Sequence, residues 1–124
     1  MIVHLDTSAL IDAVAGERRA YGRLAELIQG GHRLAVSTIA VYEWLRGPRT
    51  ERELRSQVDL LPASAMVLFG PNEAALAARL YRSVRRPRGR DLDLAIAACA
   101  LVHDAALWTA NRKDFDDIPG LDLI

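Results

Sequence analysis

The spacing of apolar positions changes period along this chain, and each change marks an element. Ile2-Val3-His4-Leu5 is a short apolar run that reads as a buried strand. Ser8 to Ala15 reads as a short helix that Gly16 breaks, and a second helix is predicted from Glu17 to Gln29. There Tyr21, Leu24, Ala25, Leu27 and Ile28 form a helical stripe, and Gly30-Gly31 closes it. Leu34-Ala35-Val36 is a second strand, Ser37-Thr38 are helix-start residues, and Ile39 to Arg46 continues as a helix stopped by Gly47-Pro48. Thr50 to Leu61 predicts a polar-faced helix ended by Pro62, and Met66-Val67-Leu68 a third strand. A helix then runs from Pro71 to about Val84, with proline at a first helical position and Glu73 in the first turn. After a basic loop, Arg85 to Arg90, comes a long helix from Asp91 to about His103. Leu107-Trp108-Thr109 predicts a strand, Asn111 to Phe115 a polar turn, and Leu121 to Ile124 a last strand.

Strands separated by helices predict a three-layer α/β/α sandwich around a mostly parallel sheet of four to five strands. Residues 1–124 suit one domain, with a core of ordinary size. Apolar residues make up 51% and charged residues 26%, which excludes a disordered chain. No run approaches the roughly 18 to 20 apolar residues of a membrane span, and no basic n-region precedes the four-residue apolar start. A cytoplasmic protein is therefore expected. A single cysteine, Cys99, excludes an internal disulfide framework and reads as core.

Composition adds one asymmetry. The formal net charge is zero, yet Arg79, Arg82, Arg85, Arg86, Arg88 and Arg90 occur without an acid between them. That band is compatible with phosphate contact or with a solvated helix face and loop.

The candidate chemistry lies in acids placed on apolar elements. Asp6 stands where the first strand turns into a helix, the edge at which open parallel sheets bind ligands, although capping that helix is an alternative role. Glu43 sits between Tyr42 and Trp44 in a largely apolar helix, where Arg46 is its one basic partner at helical spacing. Asp93 follows Asp91 at the start of the long helix; Asp91 reads as a cap, and Asp93 shares the stripe of Ile96, Ala97, Ala100 and Leu101. Asn111 and Asp114 follow the Leu107–Thr109 strand, where ligand and turn roles are both open. Asp116, Asp117 and Asp122 read as solvated turn residues, and Thr7, Ser8 and Thr109 as donors to carboxylates or as caps. Converging carboxylates repel unless some protonate or a cation joins them. Oxygen-only ligands favour Mg²⁺ or Mn²⁺ over zinc, and His4, His32 and His103 have no metal-ligand spacing. His4 reads as a hydrogen-bonded packing residue.

With those residues identified, the chain resembles the PIN-domain family and, within it, the VapC-type toxin ribonucleases of bacterial toxin–antitoxin pairs. The resemblance rests on LDTSALID at 5–12, STIAVYEWLRG at 37–47, DLAIAACAL at 93–101 and LWTANRKDF at 107–115. It implies that the family's first three acids are Asp6, Glu43 and Asp93, with Ser37 and Thr38 matching the second motif's hydroxyls. Asn111 stands where many members carry a fourth acid, and Asp114 is a candidate to supply that charge. The resemblance further implies Mg²⁺-dependent RNA cleavage, often of tRNA or another structured RNA, a homodimer, and inhibition by a cognate VapB-like antitoxin. In that reading Asp6 and Asp93 hold the cation directly, and Glu43 acts through water. Arg85, Arg86, Arg88 and Arg90 are candidates to hold flanking phosphates. The apolar stripe Tyr21, Leu24, Leu27 and Ile28, and the surroundings of Trp44, read first as core packing, with contact to the antitoxin or a second subunit as the alternative.

Two other classes remain at this stage. Phosphate-ester hydrolysis by an aspartyl nucleophile wants a second acid two residues on and a lysine, whereas Ser8 stands there and Lys113 is the one lysine. A non-catalytic metal- or RNA-binding module of the same fold would bind without turnover.

Overall fold

The computed structural model describes all residues from Met1 to Ile124. Four strands form one sheet: β1 (Ile2–Leu5), β2 (Arg33–Ser37), β3 (Met66–Val67) and β4 (Ala106–Trp108). They lie in the order β3-β2-β1-β4, and every pairing is parallel. Six helices connect them: α1 (Thr7–Val14), α2 (Tyr21–Gln29), α3 (Thr38–Arg46), α4 (Glu51–Leu60), α5 (Pro71–Ser83) and α6 (Asp91–Val102). Successive β1 residues Val3, His4 and Leu5 are all buried. Since neighbouring side chains point to opposite faces, both faces of the sheet are covered, and the three-layer α/β/α sandwich follows.

Helix α6 runs through the middle of this packing. Leu94 to Ala100 are buried without interruption, so the helix is apolar all round rather than amphipathic. Its Cys99 thiol is fully buried, and burial with the nearby Glu73 carboxylate pushes it up to about 12, which leaves it inert as a nucleophile. α5 packs along α6, while α1 packs against α2, α3 and α4.

Several elements depart from the sequence expectation. The second helix begins at Tyr21 rather than Glu17, because Gly16 and Arg18 both adopt positive φ (55° and 54°). That turn is fixed from outside: Glu53 Oε2, in the capping box of α4, accepts the Gly16 N–H at 2.9 Å. The last strand shrinks to a single parallel bridge, Leu107 to Leu123, at the free edge of β4. Asp91 is the first residue inside α6 and does not cap it; Arg90 occupies the cap position without a side-chain hydrogen bond. α3 exposes Tyr42 and Leu45, each at 55%, while Trp44 is entirely buried, so the apolar surface lies beside the tryptophan and not on it. His4 is buried as expected, but neither ring nitrogen has a hydrogen-bond partner in the chain.

Parallel strands place all four carboxyl ends at one edge. β1 lies at the switch point, with β2 and β3 on one side and β4 on the other. Crevices outside such a point are where open α/β sheets bind ligands. Asp6 is the residue that emerges there.

Candidate active site

Asp6 begins α1, and its carboxylate is surrounded by donors. Oδ1 accepts from the Ala9 backbone N–H at 2.8 Å and from the Ser8 hydroxyl at 2.7 Å. Oδ2 accepts from the Thr109 hydroxyl, which arrives from the residue just past β4. The Asp6 backbone N–H donates to Trp108 O at 3.0 Å, carrying the β1–β4 contact past the ends of both strands. Capping and site placement are thus one arrangement. Burial pushes the Asp6 carboxyl above its usual range; hydrogen bonds from Thr109, Ala9 and Ser8 pull it back, and the charge on Glu43 adds to the rise.

Ser8 and Thr109 are themselves held. The Ala110 N–H donates to Ser8 Oγ at 3.0 Å, and the Asn111 N–H to Thr109 Oγ1 at 2.9 Å. The loop carrying Asn111 is therefore tied through two hydroxyls to Asp6.

Glu43 approaches from α3, whose start Ser37 caps by accepting the Ala40 N–H at 3.1 Å. Thr7, the first residue of α1, donates its hydroxyl to Glu43 Oε1 at 2.7 Å, and Arg46 donates to Oε2 at 3.3 Å. Thr7 and Asp6 are adjacent, so one turn of chain orients both acids.

Asp93 occupies the third position of α6 and is half-buried. Burial first, then the charges of Asp114, Glu43 and Asp6, push its carboxyl up to about 6, with Arg90 opposing them. Asp93 is the residue at which the influence of Asp6, Glu43 and Asp114 meets. Asp114 and Asn111 lie on the exposed rim, around an open depression of about 440 Å³ formed by Ala110 to Asp114. Asp91 lines a second cleft of about 430 Å³ together with Glu43 and Asp93.

The acids are near enough to shift one another, yet no three acid, histidine or cysteine side chains ring a common point in ligating arrangement. Donors within the chain account for their present directions: Ser8, Ala9 and Thr109 for Asp6, Thr7 and Arg46 for Glu43. In donor type and charge the set fits a hard divalent cation, being all oxygen and mutually repulsive.

Two residues behave otherwise than their sequence context suggests. Arg90 does not stand free for phosphate. Its guanidinium grips both oxygens of Asp117, at 2.6 and 2.9 Å, and Nη2 also donates to Asp114 O at 2.8 Å. Asp117 is correspondingly no idle turn residue: the bond to Arg90 holds its carboxyl below the usual range. This clamp joins the start of α6, where Asp93 sits, to the 3₁₀ turn Arg112–Asp114. A separation of 27 residues left no local signal for it.

Comparison with known proteins bears on this arrangement. The PIN domain family model matches residues 3–121, nearly the whole chain. The chain belongs to the PIN-domain family. Within that family it is 38% identical over 119 residues to Ribonuclease VapC19 of Mycobacterium tuberculosis, covering 94% of each chain. It is 31% identical over 116 residues to Ribonuclease VapC1 of Methanocaldococcus jannaschii, covering 90% of this chain and 77% of that one. Among solved structures, the DNA-bound VapBC from Salmonella typhimurium superposes with a TM-score of 0.80 at 19% identity, covering all of this chain and 97% of that one. That likeness establishes the PIN-like sandwich. No helix is long and apolar enough to cross a membrane.

Proposed function

We propose that this PIN-domain protein is a divalent-metal-dependent endoribonuclease and the toxin of a toxin–antitoxin pair. The observation that carries the reading is the gathering of acids at one sheet edge: Asp93, raised to about 6 first by burial and then by the charges of Asp114, Glu43 and Asp6, which come from three other segments of the chain. A site that raises an acid's proton affinity by burying it and setting other acids beside it is poised to exchange that proton for a cation. Asp6 and Asp93 would hold the ion, taken to be Mg²⁺ with Mn²⁺ as a substitute, and Glu43 would engage it through water. When bound, the ion polarises the scissile phosphate and lowers the pKa of an attacking water.

The chain's own groups do the remaining work. Ser8, Thr109 and the Ala9 N–H fix Asp6 in place and favour its charged form against the burial that opposes it. Thr7 fixes Oε1 of Glu43, and Oε2, bound more loosely by Arg46 at 3.3 Å, takes up the proton of the water. Asn111 offers an exposed amide and Asp114 a carboxylate at the rim, completing the acidic edge.

Two relatives named as ribonucleases support RNA as the substrate. Solved neighbours that are VapBC complexes support a VapB-like antitoxin as partner, and the cytoplasm is the expected compartment. The groove between α2 and α4, with Tyr21 and Ile28 half-exposed over buried Leu24, suits an apolar segment of that partner. A homodimer is the expected assembly, and exposed Leu68, Tyr42 and Leu45 supply apolar surface for it.

The test is cleavage of RNA with Mg²⁺ and with EDTA, by wild type, Asp6→Asn and Asp93→Asn. Both variants should lose more activity than the roughly 10- to 100-fold that removal of a supporting hydrogen bond costs. Metal binding without turnover on any RNA would leave a non-catalytic binding module instead.

A further inference from the structure

The cleft of about 430 Å³ beside Asp93 is not lined by acids alone. Its walls carry Tyr81 from α5, Arg88 from the α5–α6 turn and Arg46 from α3, facing Glu43, Asp91 and Asp93. The size lies within the roughly 300 to 1,000 Å³ usual for small-ligand sites. Tyr81 is 41% exposed and its hydroxyl makes no hydrogen bond within the chain, so no polar network holds it there. An aromatic ring among charged side chains offers a flat apolar face that water solvates poorly.

Arg88 is exposed and forms no ion pair, whereas Arg46 and Arg90 are committed to Glu43 and Asp117. It sits in a tight turn closed by the Arg90 N–H donating to Pro87 O at 3.0 Å. Gly89 takes φ +80° in that turn, the conformation a type II turn requires of its third residue. The Arg90 clamp fastens the same turn to Asp114 and Asp117. Arg88 is therefore presented from a rigid base, and ordering it on a ligand costs only its own rotamer freedom.

Acidic walls repel a polyanion, so a phosphate chain crossing this cleft needs a cation that the protein has not already neutralised. Arg88 is that cation. A ring face beside it matches a base that is not paired, since bases inside a duplex have no free face to offer.

We propose that this cleft is a subsite for one unpaired nucleotide next to the scissile phosphate, with Tyr81 stacking on its base and Arg88 holding its phosphate. The assignment rests on the ribonuclease reading and adds to it the two residues, Tyr81 and Arg88, that would hold the neighbouring nucleotide.

The experiment measures binding of a fluorescein-labelled 12-nucleotide oligoribonucleotide by anisotropy, in an Asp6→Asn background that prevents cleavage. The same oligonucleotide annealed to its complement serves as the paired form. Tyr81→Ala and Tyr81→Leu should each weaken single-strand binding by roughly 5- to 100-fold, while Tyr81→Phe stays within about twofold. Leucine keeps apolar bulk, so a loss there is loss of the ring face. Arg88→Ala should reduce the slope of log affinity against log salt by about 0.7, and Arg88→Lys should preserve it. The duplex should bind more weakly and respond little to Tyr81→Ala. Binding by Tyr81→Leu equal to the parent, or a duplex held as tightly as the single strand, overturns the subsite. Failure of the wild type to cleave any RNA with Mg²⁺ counts against the nuclease reading; cleavage that Tyr81→Ala leaves unchanged counts against the subsite alone.

Discussion

Asp6 performs two tasks that a single residue rarely combines: it caps α1 and it places a carboxyl group at a buried sheet edge. Three oxygen and nitrogen donors support this, because hydrogen bonds offset part of the desolvation that pushes its carboxyl upward. The substitution Asp6→Asn separates the tasks. Asparagine caps a helix about as well as aspartate, so thermal stability should change by less than about 1 kcal/mol while RNA cleavage is lost. Thr109 provides a finer probe. Thr109→Val removes the hydroxyl that orients Oδ2 and anchors the Asn111 N–H. Cleavage should fall roughly 10- to 100-fold, with the apparent affinity for Mg²⁺ falling in parallel, and Thr109→Ser should restore most of both. A Thr109→Val enzyme with unchanged metal dependence would show that Asp6 needs no such support. Both residues were legible before any fold was known, since each ends a strand and opens a turn.

At the scale of elements, the start of α6 and the turn after β4 are joined by Arg90. Its bonds to Asp117 and to Asp114 O cross from one side of the acidic edge to the other. Arg90→Ala should loosen the Arg112–Asp114 turn and lower cleavage by reducing the hold on Asp114. Asp117→Asn should do much the same, and the double variant should be little worse than either alone, because residues of one bonded pair are not additive. Cleavage rates and hydrogen exchange across residues 110–118 check this; fully additive losses would mean the two act separately. The clamp also shows where reading by pattern stops. Period and flanking residues located α6, β1 and β4, because those signals are local. Arg90 and Asp117 looked like a phosphate ligand and a solvated acid, since a pairing 27 residues apart leaves no periodic trace. The start of α2 was misplaced for the same reason: Glu53 of α4 holds Gly16 from a distance. The exposure of Tyr42 and Leu45 likewise depends on which face of α3 the neighbours leave open.

For the whole molecule, two groups whose pKa values shift in opposite directions on folding set the response to pH. Asp93 titrates near 6 in the folded protein and near 3.8 when unfolded, so between those values the folded state holds the extra proton. Its contribution falls as pH rises through that window, and above pH 6 it costs up to about 3 kcal/mol in the metal-free protein. Asp6 shifts in the same direction. His4 does the reverse. Burial, with the neighbouring His103 adding to it, lowers its pKa from 6.5 to about 4, so the unfolded chain holds the extra proton between those values. Stability from that term is present above pH 6.5 and is lost, again by up to about 3 kcal/mol, as pH falls toward 4. The Asp93 and His4 slopes oppose each other over nearly the same interval, and the metal-free wild type should vary less in urea-unfolding free energy between pH 4 and 6.5 than a variant lacking either group. Removing one side exposes the other. Asp93→Asn should be more stable than wild type at pH 7 and should lose stability steeply on acidification. His4→Leu should gain stability as pH falls from 6.5 to 4. Added Mg²⁺ should raise the wild-type melting midpoint at pH 7, where the acids repel, and raise that of Asp93→Asn much less. Parallel pH profiles for wild type and both variants would mean that neither group is held in the folded protein as its surroundings indicate.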